Sequence, residues 1–239
     1  MNSQWIEINS STGATFPGYL SLPPTGTGPG ILLIQEIFGV NAHIQGVADQ
    51  YAMDGYVVLA PDLFWRQEPR VNLGYDGPDF NKGLELMAGL HLEDTLADLA
   101  QAASTLRQRP EVSAPVASLG YCMGGKLSYL AATRGIVDAA ICYYGAGIDG
   151  LLQHAPAIHC PMLFHFAEQD AYISATAIRA VADTFAQQPN AWIQTYPHVN
   201  HGFNCWARGA YNQPAAALAR GRSLEFLSYY LTPVANPKA

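Results

Sequence analysis

Apolar residues in this chain form short runs, separated by longer stretches in which apolar and polar residues recur at helical spacing. The short runs are rich in β-branched and aromatic residues, which is typical of strands. They lie at residues 5–9, 14–22, 31–35, 56–59, 116–120, 139–144, 162–166 and 193–196. The amphipathic stretches predict helices at residues 41–54, 91–107, 123–133, 175–187 and 214–230.

The order of these elements predicts the fold class. The first two strands are expected to pair antiparallel, and after them strands and helices alternate. This alternation predicts an α/β fold with a mostly parallel, twisted sheet of about seven to eight strands and helices on both faces. Because no linker or repeat interrupts it, residues 1–239 are predicted to form one domain. Residues 66–90 contain several proline and glycine turn signals and are predicted to be a long loop that shapes a pocket.

The strongest chemical signal is a cysteine at a strand-to-helix turn. In Gly120-Tyr121-Cys122-Met123-Gly124 the cysteine lies between two glycines, in the form of a nucleophile elbow. A helix N-terminus stabilises a thiolate, and the backbone N–H of Met123 would face a developing oxyanion. The alternative is a small buried cysteine in a glycine-rich turn, and the two interpretations are separated by whether partner residues exist.

The partners of such a nucleophile are an acid and a histidine, each following a later strand. Asp170 follows the apolar run at 162–166, and His201 follows the run at 193–196, so the order cysteine, aspartate, histidine is the required one. Glu168 is an alternative acid and His198 an alternative base. We favour Asp170 and His201 and predict a Cys122–His201–Asp170 triad.

A third group of residues follows the strand predicted at 31–35. In this fold class the loop after the third strand supplies the second oxyanion N–H, and Ile37 is the natural donor. Glu36 beside it would oppose ionisation of a nearby thiol unless it accepts the thiol proton. The alternative is a glutamate exposed at the strand end.

Four motifs together resemble the dienelactone hydrolases (carboxymethylenebutenolidases) of the α/β-hydrolase superfamily. They are Gln35-Glu36-Ile37-Phe38-Gly39, Ala60-Pro61-Asp62-Leu63-Phe64, Gly120-Tyr121-Cys122-Met123-Gly124-Gly125 and His201-Gly202-Phe203. The resemblance runs from about residue 21 to about residue 231. It implies that Cys122 is the nucleophile, His201 the base and Asp170 the residue that orients it. It also implies that Glu36 accepts the thiol proton and that the Ile37 and Met123 amides form the oxyanion hole.

The sequence departs from this family where the substrate is bound. Family members hold a substrate carboxylate with two arginines, but the position four residues after His201 is Cys205, and residues 80–82 contain Lys82 and no arginine. A more apolar, arginine-free pocket is therefore predicted. Its expected lining residues are Phe38, Trp65, Phe80, Lys82, Tyr143, Tyr144, Phe203, Cys205 and Trp206.

Composition excludes several function classes. The formal net charge of −7 with only 12 lysines and arginines makes nucleic acid an unsuitable partner. The N-terminus lacks a signal pattern and no apolar run could span a bilayer, so a cytoplasmic location without membrane attachment is expected. The four cysteines show no disulfide framework, and the histidines show no metal-ligand spacing, so no metal is expected. The family resemblance implies a monomer or a weak homodimer.

The predicted function is hydrolysis of a small-molecule ester or lactone through a thioester on Cys122, without a cofactor. The alternative is a redox- or electrophile-sensing thiol on an inactive hydrolase scaffold, in which Cys205 would act as a resolving partner. A third hypothesis, a catalytically silent binding scaffold, does not account for the triad.

Overall fold

The structure, a computed structural model, describes residues 2–231, except the side chain of residue 114. Within them one sheet contains eight strands in the order β1-β2-β4-β3-β5-β6-β7-β8. The strands are β1 (Asn2–Asn9), β2 (Thr15–Leu22), β3 (Gly28–Ile34), β4 (Val57–Pro61), β5 (Val112–Tyr121), β6 (Ala139–Tyr143), β7 (Met162–Ala167) and β8 (Ala191–Tyr196).

The sheet is mostly parallel, as the alternating pattern predicted. Strand β2 pairs antiparallel with β1 and β4, and the remaining neighbours, from β4 through β3 to β8, pair in parallel. Every residue of β4, β6 and β7 is buried, because helices cover both faces of a parallel sheet. The predicted fold class is confirmed.

Six α-helices accompany the sheet in the described residues. They are α1 (Ala42–Met53), α2 (Gly77–Ala88), α3 (Leu92–Arg107), α4 (Met123–Thr133), α5 (Ala175–Phe185) and α6 (Gln213–Leu231). A 3₁₀ helix covers Asp149–Ala157. In the part of the chain described, no helix combines the length and apolar character that a bilayer crossing requires.

Helix α2 corrects the prediction that residues 66–90 form a loop. Asp76 is its N-cap and Pro78 lies in its first turn, where the missing proline N–H is tolerated. Gly77 has a positive φ of 56° at the start of the helix. The turn signals of this segment therefore mark the beginning of a helix, and they do not mark a continuous loop.

The parallel strands β3, β5, β7 and β8 bring their carboxyl ends to one edge of the sheet. The loops that follow these strands contain Glu36, Cys122, Asp170 and His201. Side chains that are far apart in the chain therefore meet at this edge, which is where ligands bind in open α/β sheets.

Candidate active site

Cys122 occupies a strained turn between β5 and α4. Its φ and ψ are 56° and −114°, outside the regions that a cysteine ordinarily adopts. A Cβ on Gly120 would collide with the Gly124 carbonyl, and one on Gly124 would collide with the Ile34 carbonyl. The two glycines thus allow helix α4 to start directly over the sheet, which leaves the Cys122 thiol half-buried at the mouth of a cavity.

His201 and Asp170 form a buried pair beside this thiol. His201 Nδ1 lies 2.9 Å from Asp170 Oδ2, and the exposed fractions of their side chains are 4% and 0%. The Tyr172 N–H donates to the other Asp170 oxygen at 2.8 Å. The carboxylate is thereby fixed at both oxygens, and it fixes one face of the imidazole.

The competing acid and base pair with each other at the surface. Glu168 Oε2 accepts the His198 backbone N–H at 2.8 Å and lies 3.6 Å from His198 Nδ1. The exposed fractions of the His198 and Glu168 side chains are 84% and 51%. Glu168 and His198 therefore lie outside the buried pair that Asp170 and His201 form.

Asn200 connects the loop that contains Asp170 to the loop that contains His201, and it was not among the predicted site residues. Its Oδ1 accepts the N–H of His201 at 2.7 Å and the N–H of Ala171 at 3.1 Å. Because one side chain holds both loops, the separation between Asp170 and His201 depends on it.

The surroundings of His201 favour its charged form. Burial lowers the pKa of His201, but the hydrogen bond to Asp170 and the adjacent Cys122 outweigh it and raise the pKa to about 9. The rings of Tyr144 and Tyr172 pack around the imidazole with centroids 4.9 Å away. His201 can therefore donate a proton at neutral pH.

Glu36 lies buried just after β3, with only 1% of its surface exposed. Its Oε1 accepts from the Arg208 guanidinium at 3.2 Å. Burial raises the pKa of Glu36, and the charges of Arg208 and His201 oppose that rise. The alternative of an exposed strand-end glutamate is excluded by this burial.

Arg208 corrects the prediction of an arginine-free pocket. The arginine comes seven residues after His201, and the loop between them folds back so that both residues line the cavity. Gly202 makes room for it, since a Cβ on Gly202 would lie 2.6 Å from an Arg208 nitrogen. The guanidinium also lies over the rings of Phe38 and Tyr75 at 5.7 and 5.8 Å.

A cavity of about 540 Å³ opens at the thiol. Cys122, His201, Ile37 and Met123 all line it, so the structure brings the predicted nucleophile, base and amide donors to one space. Met123 is the first residue of α4, so its N–H has no acceptor within the helix and is free to donate to a ligand.

Helices α2 and α3 contribute to the wall of the cavity. Phe80, Leu84 and Met87 come from α2, while Leu92 and Thr95 come from α3. Phe38 and Phe80 were predicted to line the pocket and do so. The rest of the α2 wall was missed because this helix was predicted to be a loop.

The other predicted lining residues lie outside the cavity. Tyr143, Tyr144 and Phe203 are fully buried core residues, and the Tyr143 hydroxyl bonds to Ser223 at 2.7 Å. Trp65 stacks on Phe16, and Lys82 pairs with Glu68 at 3.1 Å. Apolar aromatic residues in a sequence do not distinguish a core from a pocket, and these assignments are corrected accordingly.

Cys205 and Trp206 were also predicted to line the pocket, but neither is among the residues that line the cavity. Cys205 is fully buried, and burial and the charge of Glu36 raise its pKa to about 11. Trp206 packs against His43 with ring centroids 4.1 Å apart. Burial lowers the pKa of His43 to about 4, so its imidazole is neutral.

Comparison with known proteins points to the same family that the four sequence motifs resemble. The model of the dienelactone hydrolase family matches residues 16–231. The chain is 32% identical to carboxymethylenebutenolidase 1 of Cupriavidus pinatubonensis, over 98% of this chain and 100% of that protein. It is 33% identical to the carboxymethylenebutenolidase of Pseudomonas putida, over 95% and 97%. A crystal structure named "Putative Dienelactone Hydrolase" from Klebsiella pneumoniae has a TM-score of 0.85 and 27% identity, over 95% of this chain and 98% of that chain.

Proposed function

The chain belongs to the dienelactone hydrolase family, whose members are hydrolases of the lactone and ester type, and we propose that it acts through Cys122 as a covalent nucleophile. One observation carries this proposal: the strained Cys122 lines the same cavity as His201, which pairs with the buried Asp170 carboxylate. A nucleophile at a helix N-terminus, next to a base that a carboxylate orients, is the arrangement that acyl transfer requires.

The first half of the reaction uses Glu36 and the two amides. Glu36 takes the thiol proton, and the thiolate attacks the carbonyl carbon of the ester or lactone. The Ile37 and Met123 N–H groups hold the resulting oxyanion. The intermediate then expels the alkoxide, which takes a proton from the charged His201, and a thioester remains on Cys122.

The second half uses the neutral His201 as a base. It removes a proton from water, which attacks the thioester, and the thiolate of Cys122 leaves. The thiolate recovers its proton from Glu36, and His201 has regained its charge. Asp170 holds the imidazole in one orientation throughout, and Arg208 holds the Glu36 carboxylate.

The cavity favours a substrate with a substantial apolar part. Leu84, Met87 and Leu92 are large apolar residues that are 38–44% exposed and line the cavity. A substrate group that covered them would bury apolar surface worth about 25 cal/mol per Å². The cationic side chains of Arg208 and Lys126 also line the cavity. Because Arg208 already pairs with Glu36 at 3.2 Å, we propose neutral esters and lactones with an apolar substituent as the preferred class.

The test compares turnover of short-chain aryl esters, a neutral lactone and an anionic dienelactone. Cys122→Ala should lower kcat/KM on every accepted substrate by at least about 10³-fold, because the nucleophile is lost. Cys160→Ala is the matched control, since Cys160 is also half-buried but lies outside the cavity, and it should retain wild-type turnover.

Other outcomes decide between hypotheses. A strong preference for the dienelactone would show that Arg208 or Lys126 binds the substrate carboxylate, against the proposed neutral class. Absence of turnover with all three substrates, while Cys122 still reacts rapidly with iodoacetamide, would overturn the hydrolase mechanism in favour of a thiol sensor.

A further inference from the structure

Two further chemically active side chains, His43 and Cys205, lie close to the Glu36 carboxylate. Glu36 follows β3, His43 is in the first turn of α1, and Cys205 is in the loop after β8. One carboxylate oxygen, one imidazole nitrogen and the Cys205 sulfur all lie within 4.8 Å of one another. The proposed reaction uses only the first of these three residues.

Three polar atoms of this cluster lack hydrogen-bond partners among the described residues. Arg208 engages Glu36 Oε1, but Glu36 Oε2 has no hydrogen-bond partner among the described residues. Neither ring nitrogen of His43 has one within residues 2–231, although only 2% of the His43 surface is exposed. Leaving a buried polar atom without a partner costs about 1–3 kcal/mol, so such convergence points to a bound ligand.

We propose that Glu36, His43 and Cys205 form a binding site for a divalent, thiophilic metal ion, and specifically for Zn²⁺. A mixed set of carboxylate oxygen, imidazole nitrogen and thiolate sulfur is characteristic of zinc. Zinc bond lengths of about 2.0–2.3 Å imply donor separations of about 3.3–3.8 Å in a tetrahedron. Contraction of the cluster by about 1 Å would provide three protein ligands and leave the fourth position for water.

The surroundings support ligands of this kind. The Tyr75 hydroxyl lies beside the Cys205 thiol, whose pKa it lowers, and accepts from Asn41 Nδ2 at 3.0 Å. A hydroxyl that donates to a ligating thiolate is a common outer partner of metal sites. Trp206 covers His43, and 42% of the Trp206 surface is exposed. Rotation of one exposed indole would therefore give an ion access to the cluster.

The sequence analysis predicted no metal site because no pair of ligands has the spacing of a metal motif. Positions 36 and 205 lie in two loops and position 43 in the first turn of a helix, and only the fold brings them together. On coordination Cys205 releases its thiol proton to solvent, and the metal remains divalent, so no electron is transferred.

The site would make the enzyme sensitive to zinc. An ion bound to Glu36 Oε2 withdraws the carboxylate that accepts the Cys122 proton, so zinc would inhibit turnover. This inhibition rests on the proposed function, whereas metal binding does not, and a spectroscopic measurement of binding keeps the two separate.

The experiment titrates the metal-free full chain with Co²⁺, which replaces Zn²⁺ in tetrahedral sites and is coloured. We expect one equivalent of Co²⁺ to give visible tetrahedral bands and a thiolate-to-cobalt band in the near ultraviolet, and Zn²⁺ to abolish both. Cys205→Ser should lose the thiolate band. His43→Ala, which keeps every thiol, should weaken Co²⁺ binding at least about tenfold.

Two further cysteine variants identify the thiolate. Cys122→Ala and Cys160→Ser should retain the band, because neither residue belongs to the cluster. The proposal is overturned if the wild-type chain shows no thiolate band, if Cys205→Ser retains it, or if Cys122→Ala abolishes it. Circular dichroism of each variant verifies the fold, and His43→Ala decides the question should Cys205→Ser fail to fold.

Discussion

Two buried histidines differ in charge: the imidazole of His165 is neutral, and that of His201 is positively charged. His165 lies within β7 and His201 in the loop after β8, and their exposed fractions are 0% and 4%. Burial lowers the pKa of His165 to about 3, whereas the pKa of His201 is raised to about 9. Burial disfavours the charged imidazole in both cases, so burial alone does not explain the difference.

The hydrogen-bond partners and neighbouring charges explain the difference between the two pKa values. His165 bonds to two hydroxyls, Tyr196 at 2.8 Å and Ser223 at 3.0 Å, and nearby Arg222 further disfavours a positive charge. His201 bonds to the Asp170 carboxylate and lies beside the Cys122 thiol. Hydroxyls satisfy a neutral imidazole, while a carboxylate stabilises an imidazolium. The Asp170 carboxylate, together with Cys122, thus separates a structural histidine from one able to transfer protons.

Replacing that carboxylate should give the largest effect. In Asp170→Asn we expect the pKa of His201 to fall below 9, because burial is then opposed mainly by Cys122. By analogy with other triads, kcat should fall by about 10²–10⁴-fold. NMR titration of the histidine ring and steady-state kinetics measure the two effects.

The matched control for this substitution is Glu168→Gln, which removes the exposed carboxylate two residues earlier. Glu168 contacts His198 and not His201, so the pKa of His201 and kcat should both stay at the wild-type level. An unchanged His201 pKa in Asp170→Asn would contradict the explanation given for the two histidines.

The two histidines should contribute to the pH dependence of stability with opposite sign. Unfolded histidine titrates near 6.5. Because the folded pKa of His201 is about 9, its stabilising contribution is complete below 6.5 and is lost as pH rises through 9. Because the folded pKa of His165 is about 3, stability falls as pH drops from 6.5 towards 3, by up to about 1.4 kcal/mol per pH unit.

Urea unfolding of the wild type and two variants tests these slopes. Asp170→Asn should flatten the alkaline decline, and His165→Gln should flatten the acidic one, each without altering the other branch. Parallel curves for all three proteins would show that other groups determine the pH dependence.

Local signals account for the part of the site that could be predicted from sequence. The elbow at Cys122 and the positions of Asp170 and His201 follow from strands that end in short loops, because strand ends determine which side chains meet. Glycine spacing around Cys122 is itself a steric requirement of the turn. The sheet followed in the same way from the alternation of apolar runs.

Long-range placement accounts for what was missed. Arg208 reaches Glu36 because its loop folds back, and the only local trace is Gly202, whose missing side chain makes room for the guanidinium. Helix α2 was missed because Gly77 and Pro78 were interpreted as a turn, although proline is also favoured in the first turn of a helix. Tyr143 and Phe203 were misplaced because cavities and cores use the same aromatic residues.

The smallest expected effect is a loss of stability when the hydrogen bond from Ser223 to His165 is removed. Ser223 Oγ contacts His165 Nε2 at 3.0 Å and the Tyr143 hydroxyl at 2.7 Å, all in the core. Ser223→Ala leaves both groups with one partner fewer, which should lower the free energy of unfolding by about 1–3 kcal/mol. Since neither group lines the cavity, kcat/KM should remain at the wild-type value.

Ser228 lies on the same helix, α6, but is exposed, and Ser228→Ala therefore serves as the control, with unfolding expected to match the wild type. If Ser223→Ala instead lowered kcat as strongly as Asp170→Asn, the hydroxyl network of His165 would be coupled to proton transfer at His201. The distinction drawn between the two histidines would then fail, because the neutral one would also contribute to catalysis.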